Sequence, residues 1–192
     1  MLPLLLASSS VYRRDLLSRL RLPFTCSSPD IDEGHHQGET AIELVKRLSL
    51  EKARALAASH PNHLIIGSDQ VAVLDGRIIG KPHTYEKAHQ QLTTASGASV
   101  SFLTGLTLLN SQTGHYQTDC VPFTVHMRSL SAEQIERYLR AEQPYDCAGS
   151  FKAEGLGVSL FQRTEGDDAT SLVGLPLIRL VDMLLAEGVH LP

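Results

Sequence analysis

Cysteine is scarce in this chain. Cys26, Cys120 and Cys147 are the only three, an odd number, far apart and without a Cys-x-x-Cys pair. That excludes a disulfide framework and fits a reducing compartment. No apolar run approaches the ~20 residues a membrane span needs. The apolar opening Leu2–Ala7 lacks a basic leader and is short, and Arg13-Arg14 follow it, so it is expected to be the first strand of a cytoplasmic protein. Positive charge is not in excess either. Lys and Arg number 17 against 21 Asp and Glu, a formal net charge of −4. No general basic surface therefore advertises nucleic acid, and any polyanion site has to be a local pocket. The nine histidines fall into no His-x-x-x-His or mixed Cys/His ligand spacing, and the pair His35-His36 is weak grounds for a metal site. A Gly-x-Gly-x-x-Gly fingerprint and a Walker A loop are both missing, so the dinucleotide and P-loop readings have no support. A Gly-x-Ser-x-Gly elbow is missing as well, which disfavours a serine hydrolase.

What remains is ordinary globular material: 192 residues, 42 % hydrophobic and 20 % charged, enough for one domain, with room for two lobes, and a sizeable core. Leu2–Leu6 reads as a strand and Val11–Leu22 as a helix with Tyr12, Leu16, Leu17 and Leu20 along one side. A short strand at Phe24–Cys26 leads into an acidic loop, 27–38. Thr40 and Glu43 have capping-box form before a helix reaching Ser59, with Leu44, Val45, Leu48, Leu56 and Ala57 inward. Leu64–Ser68 reads as a buried central strand. Asp75-Gly76 between two short apolar runs is a hairpin signal. Thr84 caps a helix to Ala95, and two long strands follow near Ser99–Leu109 and Tyr116–Met127. Ser131 and Gln134 open a further helix to Ala141. Residues 146–157 read as a polar loop, Val158–Phe161 as a short strand and 166–171 as a loop. Pro176 starts a final helix with Leu177, Leu180, Val181, Leu184 and Leu185 inward, stopped by Gly188. This alternation, interrupted by a long hairpin, predicts an α/β fold with a mixed twisted sheet and flanking helices.

Chemistry concentrates at two expected strand-end elbows. The first, Ser8-Ser9-Ser10 with Arg13-Arg14, offers hydroxyls, backbone N–H groups and guanidiniums at a helix start, which suits a phosphate. Arginines in a first turn oppose the helix dipole, and a bound anion would explain them; a plain serine cap with solvated arginines is the alternative. The second, Gly67-Ser68-Asp69-Gln70, puts a carboxylate where a metal or a water could be held, or is an ordinary turn. Lys52, Lys81 and Lys152 are candidate phosphate cations. Lys81 is the most suggestive, aimed by Gly80 and Pro82, whereas Lys52 on a helix more often belongs to a solvated face. Among Asp30, Asp32 and Glu33, hard oxygens on one loop, Glu33 is the preferred second metal ligand beside Asp69.

Five segments occur in order: Ala7-Ser8-Ser9-Ser10 with Arg13, Gly67-Ser68-Asp69-Gln70, Gly80-Lys81-Pro82, 147–155 (Cys-Ala-Gly-Ser-Phe-Lys-Ala-Glu-Gly) and 172–176 (Leu-Val-Gly-Leu-Pro). Together they resemble the Maf family of nucleoside triphosphate pyrophosphatases over nearly the whole chain, most closely its 7-methyl-GTP branch. The resemblance implies two lobes about a cleft, akin to inosine triphosphatases, a divalent Mg²⁺ or Mn²⁺, a cytoplasmic location, a homodimer, and cleavage of the α–β phosphate bond. It implies Asp69 as proton acceptor, and Tyr12, Gln70 and Glu154 choosing the base. The reading of the residues themselves adds Ser8, Arg13, Lys52 and Lys81 at the phosphates and a cation on Asp69 with Glu33. A Tyr ring can stack on cationic 7-methylguanine for ~0.5–2 kcal/mol, and a Glu can accept from guanine N–H groups. Two alternatives stay open: a broader pyrophosphatase for dTTP, UTP or damaged nucleotides, and a non-catalytic nucleotide-binding regulator of cell division.

Overall fold

The computed structural model describes residues 2–191. In order they form β1 (Leu4–Ala7), α1 (Val11–Ser18), β2 (Phe24–Ser27), α2 (Ala41–Ala57), β3 (Leu64–Leu74), β4 (Arg77–Ile79), α3 (Tyr85–Ala95), β5 (Ser99–Asn110), β6 (Tyr116–Met127), α4 (Ala132–Glu142), β7 (Phe161–Glu165), α5 (Ala169–Val173) and α6 (Leu177–Ala186). Short 3₁₀ turns lie at Ala148–Ser150 and Leu156–Leu160. The strands form one mixed seven-stranded sheet in the order β2-β1-β3-β5-β6-β7, with β4 paired to β3. β1 is parallel to both β2 and β3, while β3–β4 and β6–β7 are antiparallel. This is the α/β class expected. No helix of the described residues is long and apolar enough to cross a membrane.

The chain divides into two compact units. The first holds the residues up to Gln70, Thr104–Val121 and those from Asp168 on; the second holds Val71–Leu103 and Pro122–Asp167. In the first, strand alternation supplies two apolar faces. Leu4, Leu6, Leu64, Ile66, Leu106 and Leu108 pack with Leu16 and Leu17 of α1 and Leu177, Leu180, Met183 and Leu184 of α6. Leu5, Ala7, Ile65 and Leu109 face Ala53 and Leu56 of α2. In the second, Phe102, Phe151 and Phe161 form a chain of edge-to-face rings with centroids 5.2 and 4.9 Å apart. The capping boxes at Thr40 and Ser131 are both present with reciprocal hydrogen bonds. Asp75-Gly76 forms the tight hairpin, both residues at positive φ.

Several expectations need correction. α1 ends at Ser18 rather than Leu22, because the chain reverses through Arg21 at φ +54° to bring β2 alongside β1. The strand expected at Val158–Phe161 is a 3₁₀ turn, and β7 begins only at Phe161. There the chain folds back so closely that a Cβ on Gly157 would lie 2.2 Å from the Lys152 carbonyl. Part of the expected 166–171 loop is α5, capped by Asp168. On α6, Met183 takes the inward place assigned to Leu185, which is half-exposed, and Val181 is only partly buried.

Candidate active site

The largest correction concerns Gly67-Ser68-Asp69-Gln70. These residues are not an elbow: β3 runs on through them to Leu74, so Asp69 lies mid-strand. Polar side chains persist there because each finds a partner. Alternation turns Asp69 to the α2 side of the strand and Ser68 and Gln70 to the other side.

Two glycines bring α2 close on the Asp69 side. A Cβ on Gly67 would lie 2.0 Å from the Ser49 carbonyl oxygen, and one on Gly105 would lie 2.0 Å from that of Val45. Backbone therefore meets backbone, and Lys52, one turn beyond Ser49, is delivered to Asp69. Lys52 Nζ donates to Asp69 Oδ1 at 2.7 Å and pairs with Glu33 Oε1 at 2.9 Å. The Lys52 and Asp69 side chains are 9 % and 10 % exposed. Lys52 is thus not on a solvated face. Its ammonium, expected at a phosphate, is held between two carboxylates; the buried Asp69 pairing offsets the cost of desolvating two charges, while the Glu33 side chain stays largely exposed.

Arg13 belongs to the same cluster. Burial pulls its guanidinium below the ordinary arginine value, and the Asp69 and Glu33 carboxylates pull it back up; it stays charged. Its Nε donates to the Gly174 carbonyl at 2.7 Å, an oxygen that also accepts from Ser68 Oγ at 3.0 Å. Arg13 therefore has a structural use that the anion argument did not foresee. It ties α1 to the turn after α5, and this knot is what the 172–176 segment provides.

At the start of α1, Ser10 caps the helix by accepting from the Arg13 amide, and Ser8 Oγ accepts from the Ser10 amide at 3.1 Å. Ser8, Ser9, Ser10, Arg14, Ser27 and Ser28 line a cavity of about 300 Å³ at this turn. Hydroxyls at the positive end of α1 and one exposed guanidinium suit a phosphate. Tyr12 is half-buried in the first turn of α1.

Gln70 differs from expectation. Its Nε2 donates to Thr104 Oγ1 at 2.9 Å and to the carbonyls of Ser171 at 2.7 Å and Leu172 at 3.2 Å. The N–H groups are engaged inside the protein, so only its carbonyl oxygen remains to meet a base. In the second unit, Lys81 is exposed just after β4, and Glu154 is exposed in the segment between the two 3₁₀ turns.

Asp69 and Glu33 converge on one ammonium, so two hard carboxylate oxygens share the neighbourhood of a single cationic position. That donor set fits Mg²⁺ or Mn²⁺, which keep several waters and take few protein carboxylates. Among the described residues no group of three or more His, Cys, Asp or Glu is placed to hold a metal ion.

Sequence reasoning missed Arg47. Its Nε and Nη2 donate to the two Glu39 oxygens at 2.6 and 2.9 Å, and Nη2 also donates to the Gly34 carbonyl at 2.8 Å, next to Glu33. Its pairing with Glu51 at i,i+4 was visible as a helix-face ion pair, but the reach to residues 34–39 was not.

The Maf-like protein family matches residues 3–187. A Pseudomonas fluorescens protein named 7-methyl-GTP pyrophosphatase is 81 % identical over 192 residues, all of both chains. Proteins of the same name from Pseudomonas aeruginosa and Alcanivorax borkumensis are 71 % and 59 % identical over 189 residues, 98 % of this chain in each case and 98 % and 96 % of theirs. Among solved structures, the Ham1 protein of Staphylococcus aureus superposes with a TM-score of 0.52 at 13 % identity, over 97 % of this chain and 99 % of that one. A HAM1 protein from Coxiella burnetii gives 0.51 at 14 %, over 97 % and 100 %. At that identity the likeness speaks for the fold alone. Matched along almost its full length by the family, and by relatives over their whole chains, this chain belongs to the Maf family.

Proposed function

We propose that the protein hydrolyses 7-methyl-GTP to 7-methyl-GMP and pyrophosphate. The observation that carries this reading is the buried Lys52 held between Asp69 and Glu33 beside Arg13, in a chain 81 % identical to a 7-methyl-GTP pyrophosphatase. In the first unit Ser8 and Arg13 bind phosphate oxygens and Lys52 adds positive charge; the second unit offers Lys81. Mg²⁺ or Mn²⁺ held by Asp69 and Glu33 would offset charge on the triphosphate when bound. Asp69 keeps Oδ1 on Lys52, which leaves Oδ2 to orient a water and accept its proton. The water oxygen bonds to the α-phosphorus, the α–β bridging P–O bond breaks, and pyrophosphate leaves with the bridging oxygen. For the base, the first unit offers the Tyr12 ring to stack on the cationic ring and Gln70 Oε1 as an acceptor, and the second unit offers Glu154 as an acceptor for its N–H groups.

The test is pyrophosphate release from 7-methyl-GTP, GTP, dTTP and UTP with Mg²⁺, Mn²⁺ or chelator. Fast release from 7-methyl-GTP that chelator abolishes is expected. Preference for dTTP or UTP would keep the reaction and overturn the base assignment. Release from none, with nucleotide still bound, would overturn catalysis in favour of a binding regulator.

A further inference from the structure

Glu154 sits on no helix or strand and is exposed, yet a carboxylate that reads a base has to be held still before the base arrives. Its segment is anchored at both ends and at two points between. Phe151 and Phe161, which flank it, are in edge-to-face contact at 4.9 Å. The Lys152 carbonyl accepts from the amides of both Gly155 and Gly157, at 3.3 and 3.0 Å. The remaining ties come from α4. The Lys152 amide donates to Tyr138 Oη at 3.0 Å, and the Leu156 amide donates to Glu142 Oε2 at 2.8 Å. The second Glu142 oxygen lies 3.6 Å from Lys152 Nζ. Tyr138 and Glu142 stand four residues apart, one above the other on the same helix face. They grip the chain two residues before and two residues after Glu154.

Gly155 shows how close this grip is, because a Cβ there would lie 2.9 Å from Glu142 Oε2 and 3.0 Å from Oε1. Burial pushes the Tyr138 phenol well above its ordinary value, with the Glu142 and Glu154 carboxylates adding to the rise. Its hydroxyl therefore stays neutral at the site.

We propose that Tyr138 and Glu142 are positioning residues for base selection. Together they form a two-point mount on α4 that fixes the Glu154 carboxylate for the N–H edge of a guanine base. The inference rests on the assignment of Glu154 to the base. Neither residue touches substrate; each acts through the backbone of 152–156.

The experiment compares kcat/KM for 7-methyl-GTP and for 7-methyl-ITP, which lacks the 2-amino donor of the N–H edge, in the wild type and in Glu154→Ala, Tyr138→Phe, Glu142→Ala, Glu142→Gln and Gly155→Ala, with melting temperature as a folding control. Tyr138→Phe and Glu142→Ala are each expected to move the ratio of the two kcat/KM values by about tenfold, the worth of one hydrogen bond, and in the direction Glu154→Ala moves it. Glu142→Gln keeps an acceptor for the Leu156 amide and should restore most of the ratio. Gly155→Ala, which displaces the Glu142 carboxylate, should copy Glu142→Ala. Equal losses on both substrates, leaving the ratio unchanged, would mean ordinary stabilisation and overturn the mount. A ratio that Glu154→Ala moves but the α4 variants do not would overturn the mount alone. A ratio indifferent to Glu154→Ala would overturn the base assignment beneath it. Should Tyr138→Phe fail to fold, the Glu142 and Gly155 variants carry the same test.

Discussion

Asp69 has one oxygen hydrogen-bonded to Lys52 and is buried, so replacing it with the isosteric amide keeps the shape and removes the charge and the basicity. Asp69→Asn is expected to lose ~10²–10⁴-fold in pyrophosphate release, and turnover near wild type would sink the proton-acceptor role. Gly67 makes a different demand. It sits opposite the Ser49 carbonyl, where nothing flexible can yield. Gly67→Ala is expected to cost ~1–3 kcal/mol as overpacking, read as a lowered melting temperature, and to reduce activity as Lys52 is pushed from Asp69. The residues of this cluster were legible in the sequence as a set. Their relations were not, because which carboxylate meets which cation depends on how closely two backbones approach. Gln70 shows the limit most clearly. It is next to Asp69 in sequence, yet it points across the strand with its amide engaged by Ser171 and Leu172.

Helices announced themselves through their caps and apolar spacing, and five start within a residue of expectation: α1 at Val11, those capped by Thr40, Thr84 and Ser131, and the one that follows Pro176. The extent of β3 did not, since Ser-Asp-Gln after an apolar run has turn composition and only tertiary partners keep it extended. The loop that carries Glu33 was legible as acidic but not as ordered. Arg47 holds it by Glu39 and the Gly34 carbonyl, and this pairing keeps the Glu39 carboxyl near 2, well below its ordinary 4.5. A carboxyl whose folded value is depressed contributes stability above its unfolded value and loses it as pH falls from there through the folded one. The pair should therefore stabilise the protein fully above about 4.5 and progressively less toward about 2. Melting curves of the wild type and Arg47→Met should differ most near neutrality and converge as the solution is acidified. A gap independent of pH would assign the loss to packing of the arginine stem instead.

For the molecule as a whole, a net charge of −4 means that, on the proposed function, attraction for an anionic nucleotide is local, at Arg13, Lys52 and the α1 turn. kcat/KM for 7-methyl-GTP should accordingly change only a fewfold with ionic strength. A polynucleotide ligand held by 6–10 phosphate contacts would instead lose ~10³–10⁵ in affinity between 50 and 200 mM salt. A kinetic salt titration separates the two. Fold class was legible because alternating apolar runs and amphipathic helices are local signals. The strand order β2-β1-β3-β5-β6-β7 was not, since it is set by long-range pairing. Gly67 and Gly105 place α2 against the sheet with no side chain between. In a saturation library selected for folding alone, these two interior positions should be the most restricted, with Ala depleted and larger residues lost. Surrounding apolar sites should meanwhile exchange freely among Leu, Ile, Val and Met, so two narrow minima would stand out in an otherwise permissive stretch of the fitness profile.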